Sequence, residues 1–350
     1  MSLLFAYRRY RLPLRVAVRT SHGVWREREG VILRLQDERG RVGFGEAAPI
    51  PWFGTESPDE IEGACRGLGE RVDLAALAAV PGQLGCLRHA LAAAQDELRA
   101  NAEEAPWTSP DGVTALTVAA LLPAGRAALE AVGPRADAGF RVFKWKVGVA
   151  DVADELVLLD DLCAALPAGA KLRLDANGGW TRPQAERWLE RCAERPVDYV
   201  EQPCFADATQ GATQRKRCED VLRGLAEDYP TPIALDESLV GDGDLGRWLE
   251  NGWSGVFVIK PALLADVAGA LERLAQARAA VVFSSALETA VGARDALRAA
   301  FEWRGERRAL GFGVYPLFKD GRFDGPAAAP FVYRDDVARL DAEAAWNALT

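Results

Sequence analysis

A chain of 350 residues carries 42 lysines and arginines against 51 aspartates and glutamates, a net charge of −9. That length can bury a large core and suits one big α/β domain with an appendage, while the acidic balance argues against a phosphate-neutralising surface and so against nucleic acid as a partner. Six cysteines without a CxxC pair, only two histidines and no apolar run near the roughly 20 residues of a membrane span exclude zinc and disulfide scaffolds, multi-histidine centres and a transmembrane anchor.

The opening MSLLFAYRRYRLPL sets its apolar stretch before its arginines, the reverse of a signal peptide. It reads as a first strand, and the cytoplasm is the expected compartment. GVILRLQDERGRVGFGEA predicts a hairpin about the charged turn at residues 37–40. Ser57, followed by Pro58 and acids, predicts a capped helix, and GCLRHALAAAQDELRAN predicts a second. The polar, Pro-containing stretch 103–112 then marks a boundary. Residues 1–105 are therefore expected to form an α+β capping domain, 106–325 a catalytic domain, and 326–350 a segment packing back on the cap.

From Thr114 onward, short apolar strands alternate with helical stretches, the pattern of a parallel sheet. Eight strand candidates are present: TALTVAALL, RVFKWKV, KLRLDAN, VDYVEQP, PIALDES, GVFVIKP, AVVFSSA and ALGFGV. Eight such units in roughly 200 residues predict a TIM-type (β/α) barrel.

Several of these strands end in polar residues: Lys144 and Lys146, Asp175 and Asn177, Glu201, Asp236 and Glu237, Lys260, Ser284 and Ser285. Any one of them alone reads as a solvated loop residue or a helix cap. Successive members lie 24 to 35 residues apart, one strand–helix unit each, so a barrel brings them to one mouth. Burying Asp175, Glu201 and Asp236 together would bring three negative charges close at a cost of several kcal/mol unless a cation compensates. Hard oxygen ligands on neighbouring strands suit Mg²⁺. Lys144 and Lys146, two apart in an apolar strand, share the inner face, and Lys260 falls across the barrel from them. A metal-bound carboxylate between two lysines is a site for removing the adjacent proton.

These segments resemble the enolase superfamily, in its muconate-lactonizing subgroup, and within it the o-succinylbenzoate synthase family of the cyanobacterial and plant branch. The resemblance spans nearly the whole chain. It rests on TSHGVW (20–25), GFGEAAPIPWFGTE (43–56), FKWKVG (143–148), LDANGGW (174–180), VEQP (200–203), ALDES (234–238), IKPAL (259–263) and SSALETAVG (284–292), in that order. It implies a hydro-lyase that dehydrates 2-succinyl-6-hydroxy-2,4-cyclohexadiene-1-carboxylate to o-succinylbenzoate in menaquinone or phylloquinone biosynthesis. The small-molecule carboxylate would be the partner. Asp175, Glu201 and Asp236 would hold one Mg²⁺, with Mn²⁺ the alternative ion. Lys146 would be the acid/base, Lys260 the opposing lysine that holds the enediolate by a cation–π contact, and Lys144 the support of Lys146 and the substrate carboxylate.

The substrate contacts implied are Asn177, Ser284 and Ser285 at the strand ends, with Thr20, Ser21, His22, Trp52 and Phe53 on two cap loops. One departure concerns Gly178–Gly179, where some bacterial members carry an arginine; the anchor of the substrate's succinyl group is thereby left open. An N-succinylamino-acid racemase or dipeptide epimerase is the nearest rival, but those enzymes usually carry an Asp-x-Asp near the eighth strand, and GFGVYPLFKD has none. A non-catalytic carboxylate-binding barrel would leave the lysine pair and three acids without a use. No pattern in the chain fixes an oligomeric state.

Overall fold

The computed structural model describes residues 2–20, 23–103, 107, 109–206 and 208–349. Three long antiparallel strands open the chain: β1 (Ser2–Thr20), β2 (Gly23–Gln36) and β3 (Val42–Ala47). The expected charged turn joins β2 to β3, where one oxygen of Asp37 accepts from the N–H groups of Arg39 and Arg41, both at 2.9 Å. Helix α1 (Pro58–Leu68) starts with the predicted Ser57 cap: the Ser57 hydroxyl accepts from Glu60 N, and Ser57 N donates back to the Glu60 carboxylate at 2.7 Å. Strand β4 (Arg71–Asp73) adds to the far side of β1, and the short α2 (Leu74–Ala78) leads to α3 (Gly85–Glu103).

Helix α3 lies directly on β3, because Gly43 and Gly45 let the two backbones touch. A Cβ at Gly45 would come within 1.9 Å of the Ala90 carbonyl oxygen, and one at Gly43 within 2.0 Å of that of Ala94. Leu3, Phe5, Val31, Leu33, Leu35, Leu87 and Leu91 fill a separate core between sheet and helices.

Strands and helices then alternate. The strands are β5 (Ala115–Thr117), β6 (Ala120–Leu122), β7 (Val142–Lys146), β8 (Lys171–Asp175), β9 (Val197–Glu201), β10 (Ile233–Leu235), β11 (Val256–Ile259) and β12 (Ala280–Phe283). The helices are α4 (Ala127–Asp137), α5 (Val152–Ala165), α6 (Arg182–Cys192), α7 (Gly211–Asp228), α8 (Gly241–Glu250), α9 (Val267–Gln276) and α10 (Ala290–Glu302). Strands β6 to β12 form one parallel sheet in sequence order, the curled wall of the barrel.

Two expectations about its strands are corrected. TALTVAALL is two strands: β6 enters the barrel, whereas β5 turns outward to pair antiparallel with β13 (Phe331–Tyr333). ALGFGV contributes only single bridges, Leu310 to Val118 and Gly311 to Ser284, and these link the two ends of the seven-stranded sheet. Glycine explains the shortness of that closure. A Cβ at Gly311 would meet the Ser284 hydroxyl at 2.5 Å and one at Gly313 the Ala119 carbonyl at 2.6 Å, so contact is close where regular pairing is weak.

The chain ends in α11 (Arg334–Ala338) and α12 (Ala342–Ala348). Arg8 of β1 donates to the carbonyls of Trp346 and Leu349 at 2.6 and 2.7 Å and lies over the Trp346 ring, joining this end to the first sheet. No described helix is long and apolar enough to cross a membrane.

Candidate active site

The inner face of β7 is set by alternation. Trp145 is fully buried and meets Trp188 of α6 on the outside, so Lys144 and Lys146 on either side of it point into the barrel. Parallel pairing places Lys146 beside Asp175 and Asp175 beside Glu201, while Asp236 follows the last residue of β10 and Lys260 the last of β11. β7 and β11 stand four places apart in a ring of eight, so their lysines face each other.

Lys144 Nζ donates to Glu201 Oε1 at 2.6 Å and lies 3.0 Å from Asp175 Oδ2. Lys146 Nζ donates to Asn177 Oδ1 at 2.7 Å and lies 3.5 Å from Asp175 Oδ2. Lys260 pairs with Asp236 and sits over the Phe53 ring, 5.0 Å from its centroid. Burial works against the Lys144 ammonium, but Asp175 and Glu201 prevail and hold it above its ordinary value. Asp175 is likewise held low by Lys144 and Lys146 against its own burial. Lys260 goes the other way: burial pushes it down to about 7 against the pull of Glu201. Glu237 is pushed up to about 8 by burial and by the charges of Asp175 and Glu201.

Asp175, Glu201 and Asp236 thus share the mouth of the barrel, but among the described residues no three ligating side chains enclose a common point. Ammonium groups lie between them instead. The donor set nevertheless fits a hard cation: three carboxylates from neighbouring strand ends, with Glu201 Oε2 buried and without a partner among the described residues.

A cavity of about 170 Å³ lies above these groups. Lys144, Lys146, Asp175, Asn177, Asp236, Glu237, Lys260, Ser284 and Ser285 line its floor. Trp25, Ile50, Trp52 and Phe53 come from the first sheet and its loop; Leu121, Val314 and Leu317 complete an apolar wall. Trp52 packs edge-on against both Trp25 and Phe53, with ring centroids at 5.6 and 4.2 Å. The Ser284 hydroxyl faces the Gly311 carbonyl at 3.4 Å, whereas the Ser285 hydroxyl is engaged by Glu288 and by Leu287 N. Ser21 and His22 lie outside the described residues, and of Thr20 only the backbone is described, at the end of β1.

Gly178 has φ +72°, and a Cβ there would meet Phe205 Cβ at 2.3 Å. Gly178 thus serves close loop packing.

Comparison with known proteins decides the family. Residues 126–301 match the family model described as "Enolase C-terminal domain-like", and residues 4–80 match "MenC, N-terminal domain". The o-succinylbenzoate synthase of Thermosynechococcus vestitus is 40% identical over 314 residues, covering 88% of this chain and 91% of that protein. That of Edwardsiella ictaluri is 31% identical, covering 83% and 84%. This chain belongs to the o-succinylbenzoate synthase family. A solved o-succinylbenzoate synthase from Thermosynechococcus elongatus BP-1, complexed with magnesium in its active site, superposes with a TM-score of 0.80 at 35% identity, covering 99% of this chain and 100% of that one. An L-Ala-D/L-Glu epimerase from Bacillus subtilis shares the fold, with a TM-score of 0.78 at 21% identity over 95% of this chain and 96% of that one.

Three residues of this family member that organise the site escape the strand-end reading. Gln202, with φ +38°, accepts from Asp236 N and Ser238 N and donates to Ser238 Oγ and Cys204 O, so it ties the end of β9 to that of β10. Arg28 is buried and donates to the carbonyls of Glu29, Ala48, Pro49, Ala286 and Leu287, holding cap and barrel loops together. Glu46 is fully buried at the start of α10. Arg28 sits in the charged run REREG, which resembles a solvated strand face. Glu46 had a readable signal, a lone acid in the small apolar run GFGEAAP.

Proposed function

We propose that this chain dehydrates 2-succinyl-6-hydroxy-2,4-cyclohexadiene-1-carboxylate to o-succinylbenzoate, a step of menaquinone or phylloquinone biosynthesis, with Mg²⁺ held by Asp175, Glu201 and Asp236. The observation that carries the reading is the pair Lys146 and Lys260, facing each other across one cavity whose floor holds Asp175 and Asp236, with Glu201 paired to Lys144 beneath it. The cation, when bound, supplies Lewis-acid polarisation of the substrate carboxylate.

The chain's own residues account for the proton. Lys146, as the free amine, takes the proton beside the ring carboxylate; Asn177 Oδ1, 2.7 Å from its Nζ, fixes the direction of that nitrogen. The electrons left behind form an enediolate. Re-forming the carboxylate drives them into the ring and breaks the C–O bond to the hydroxyl, which receives the same proton from Lys146 and departs as water. Lys260, as the ammonium, faces the opposite side of the planar anion and stabilises it by charge and cation–π attraction. A doubly anionic substrate favours that ammonium form against the burial that disfavours it. Trp25, Trp52 and Phe53 would exclude water above the ring, with Thr20, Ser21, His22, Ser284 and Ser285 as further contacts.

The same reading assigns residues 1–105 to a cap, 106–325 to the catalytic barrel and 326–350 to a segment returning to the cap, and it places the enzyme in the cytoplasm. Incubating the purified chain with Mg²⁺ and the cyclohexadiene substrate should remove the diene absorbance and yield o-succinylbenzoate. Unchanged absorbance with a folded, Mg²⁺-supplied protein would overturn the assignment.

A further inference from the structure

Behind the catalytic cavity a second one, of about 420 Å³, is lined by Phe53 and Glu237, which also line the first, and by Arg215, Cys218 and Arg247. Cys218 sits half-buried on α7, and Cys204 is buried on the loop that leaves β9. The thiol of Cys204 is directed at Cys218, its sulfur lying 3.8 Å from the Cys218 carbonyl oxygen. We infer that Cys204 and Cys218 are a modification site: a small peroxide entering the second cavity joins them in a reversible disulfide.

Access and chemistry agree on which sulfur reacts first. Cys218 lines the cavity, whereas the other half-buried thiol, Cys163, lines none of the cavities described. Hydrogen bonding from Cys204 also pulls Cys218 down to about 7, while burial pushes Cys163 up to about 11. The thiolate is the nucleophile, so at neutral pH Cys218 is the reactive one. Its sulfur attacks one peroxide oxygen, the O–O bond breaks, and the departing hydroxide takes a proton to become water. This leaves a sulfenic acid on Cys218. Cys204 then gives up its proton and attacks that sulfur; the S–O bond breaks and a second water leaves. Two electrons pass from the thiol pair to the peroxide. The sulfurs must close to about 2.05 Å, which asks Cys218 to turn its side chain toward a sulfur that already lies 3.8 Å from its own carbonyl oxygen.

The tether would be felt at the active site through Gln202, which donates to the Cys204 carbonyl and accepts from Asp236 N at 2.9 Å. Drawing Cys204 toward α7 pulls on the residue that aligns the ends of β9 and β10, so turnover falls as the disulfide forms. This second clause rests on the proposed function; the disulfide itself does not.

The full chain is treated with a few equivalents of hydrogen peroxide under native conditions, denatured and titrated for thiols, and its peptides are mapped. Two of the six thiols should disappear. A Cys204–Cys218 cross-linked peptide should appear, and dithiothreitol should reverse both. Cys218→Ser should keep its remaining five thiols, and Cys204→Ser should leave a sulfenic acid on Cys218 that dimedone traps. Equal thiol loss in Cys218→Ser, a cross-link between other cysteines or no loss at all would overturn the site. A Cys204–Cys218 cross-link with undiminished turnover would overturn only the link to Gln202.

Discussion

Glu46 and Thr289, 243 residues apart in the chain, meet at the junction of cap and barrel: the two oxygens of the Glu46 carboxylate accept the Thr289 N–H at 2.9 and 3.0 Å. The same carboxylate accepts from the Thr289 hydroxyl, from Gly292 N at 2.8 Å and from Tyr10 OH at 2.5 Å. A side chain from β3 thus caps helix α10, binding the orphan N–H groups of its first turn and facing the positive end of its dipole. Glu46→Ala would strand these donors in a buried site, a cost on the order of 3 to 5 kcal/mol. Urea unfolding should show that loss. A change below about 1 kcal/mol, the net worth of one ordinary hydrogen bond, would mean the junction does not depend on it.

The two lysines are separable by arginine substitution. Arginine keeps the positive charge but does not give up its proton in a protein, so it can replace a cation and cannot replace a base. Lys146→Arg and Lys146→Ala should both lose about 10²- to 10⁴-fold in kcat, the usual contribution of a positioned acid/base. Lys260→Arg should retain clearly more activity than Lys260→Ala. Equal activity in Lys146→Arg and Lys260→Arg, with both proteins folded by circular dichroism, would reverse or abolish the division of roles.

The polar floor of the site was readable because β-strands alternate and barrel strands end at one face: Lys144, Lys146, Asp175, Asp236 and Lys260 all line the cavity, and Glu201 sits beneath them paired to Lys144. Helix α1 was readable from Ser57, Pro58 and Glu60, a local cap. What could not be read depends on partners distant in the chain. Arg28 is one charge among several in a β-strand and becomes distinctive only when the carbonyls of Ala286 and Leu287 arrive from the barrel. The split of TALTVAALL depends on β13, and the shortness of the closing strand on how near Ser284 and Ala119 come to Gly311 and Gly313. Gln202 lay inside the recognised VEQP run, but its role needed the backbone of the next strand.

Metal binding should register as stability. Asp175 and Glu201 are compensated by Lys144, and Asp236 by Lys260, while Glu201 Oε2 is unpartnered among the described residues. A dication that binds only the folded chain adds about 2.7 kcal/mol at a hundredfold excess over its Kd. Titrating Mg²⁺ into chelator-treated protein should therefore raise Tm, and EDTA should return it. Glu201→Gln and Asp236→Asn should show a diminished rise. A Tm that Mg²⁺ leaves unmoved across the millimolar range, or a full rise in both variants, would remove these residues from the metal site.

His89 should set part of the acid limb of stability. It is buried on α3, a hydrogen bond to the Leu264 backbone opposes the shift, and Nε2 has no partner among the described residues; burial pushes the imidazole down to about 4 from an ordinary value near 6.5. The unfolded chain therefore takes up a proton below about pH 6.5 that the folded chain refuses until about pH 4. Stability contributed by the neutral ring is fully present above pH 6.5 and is lost as pH falls through that window, by roughly 3 kcal/mol at most. Glu288 and Asp295, both raised to about 7 by burial, act in the opposite sense: their contribution is full below the ordinary carboxylate range and is lost as pH rises through 7. The test must isolate the histidine, and His89→Gln does so because the amide does not titrate. Urea unfolding of both proteins at half-unit steps from pH 4 to 7.5 gives a stability difference at each pH. The cost of the substitution should be largest at pH 7.5 and shrink toward pH 4. A difference that stays constant across the window would show that the folded and unfolded imidazoles titrate alike.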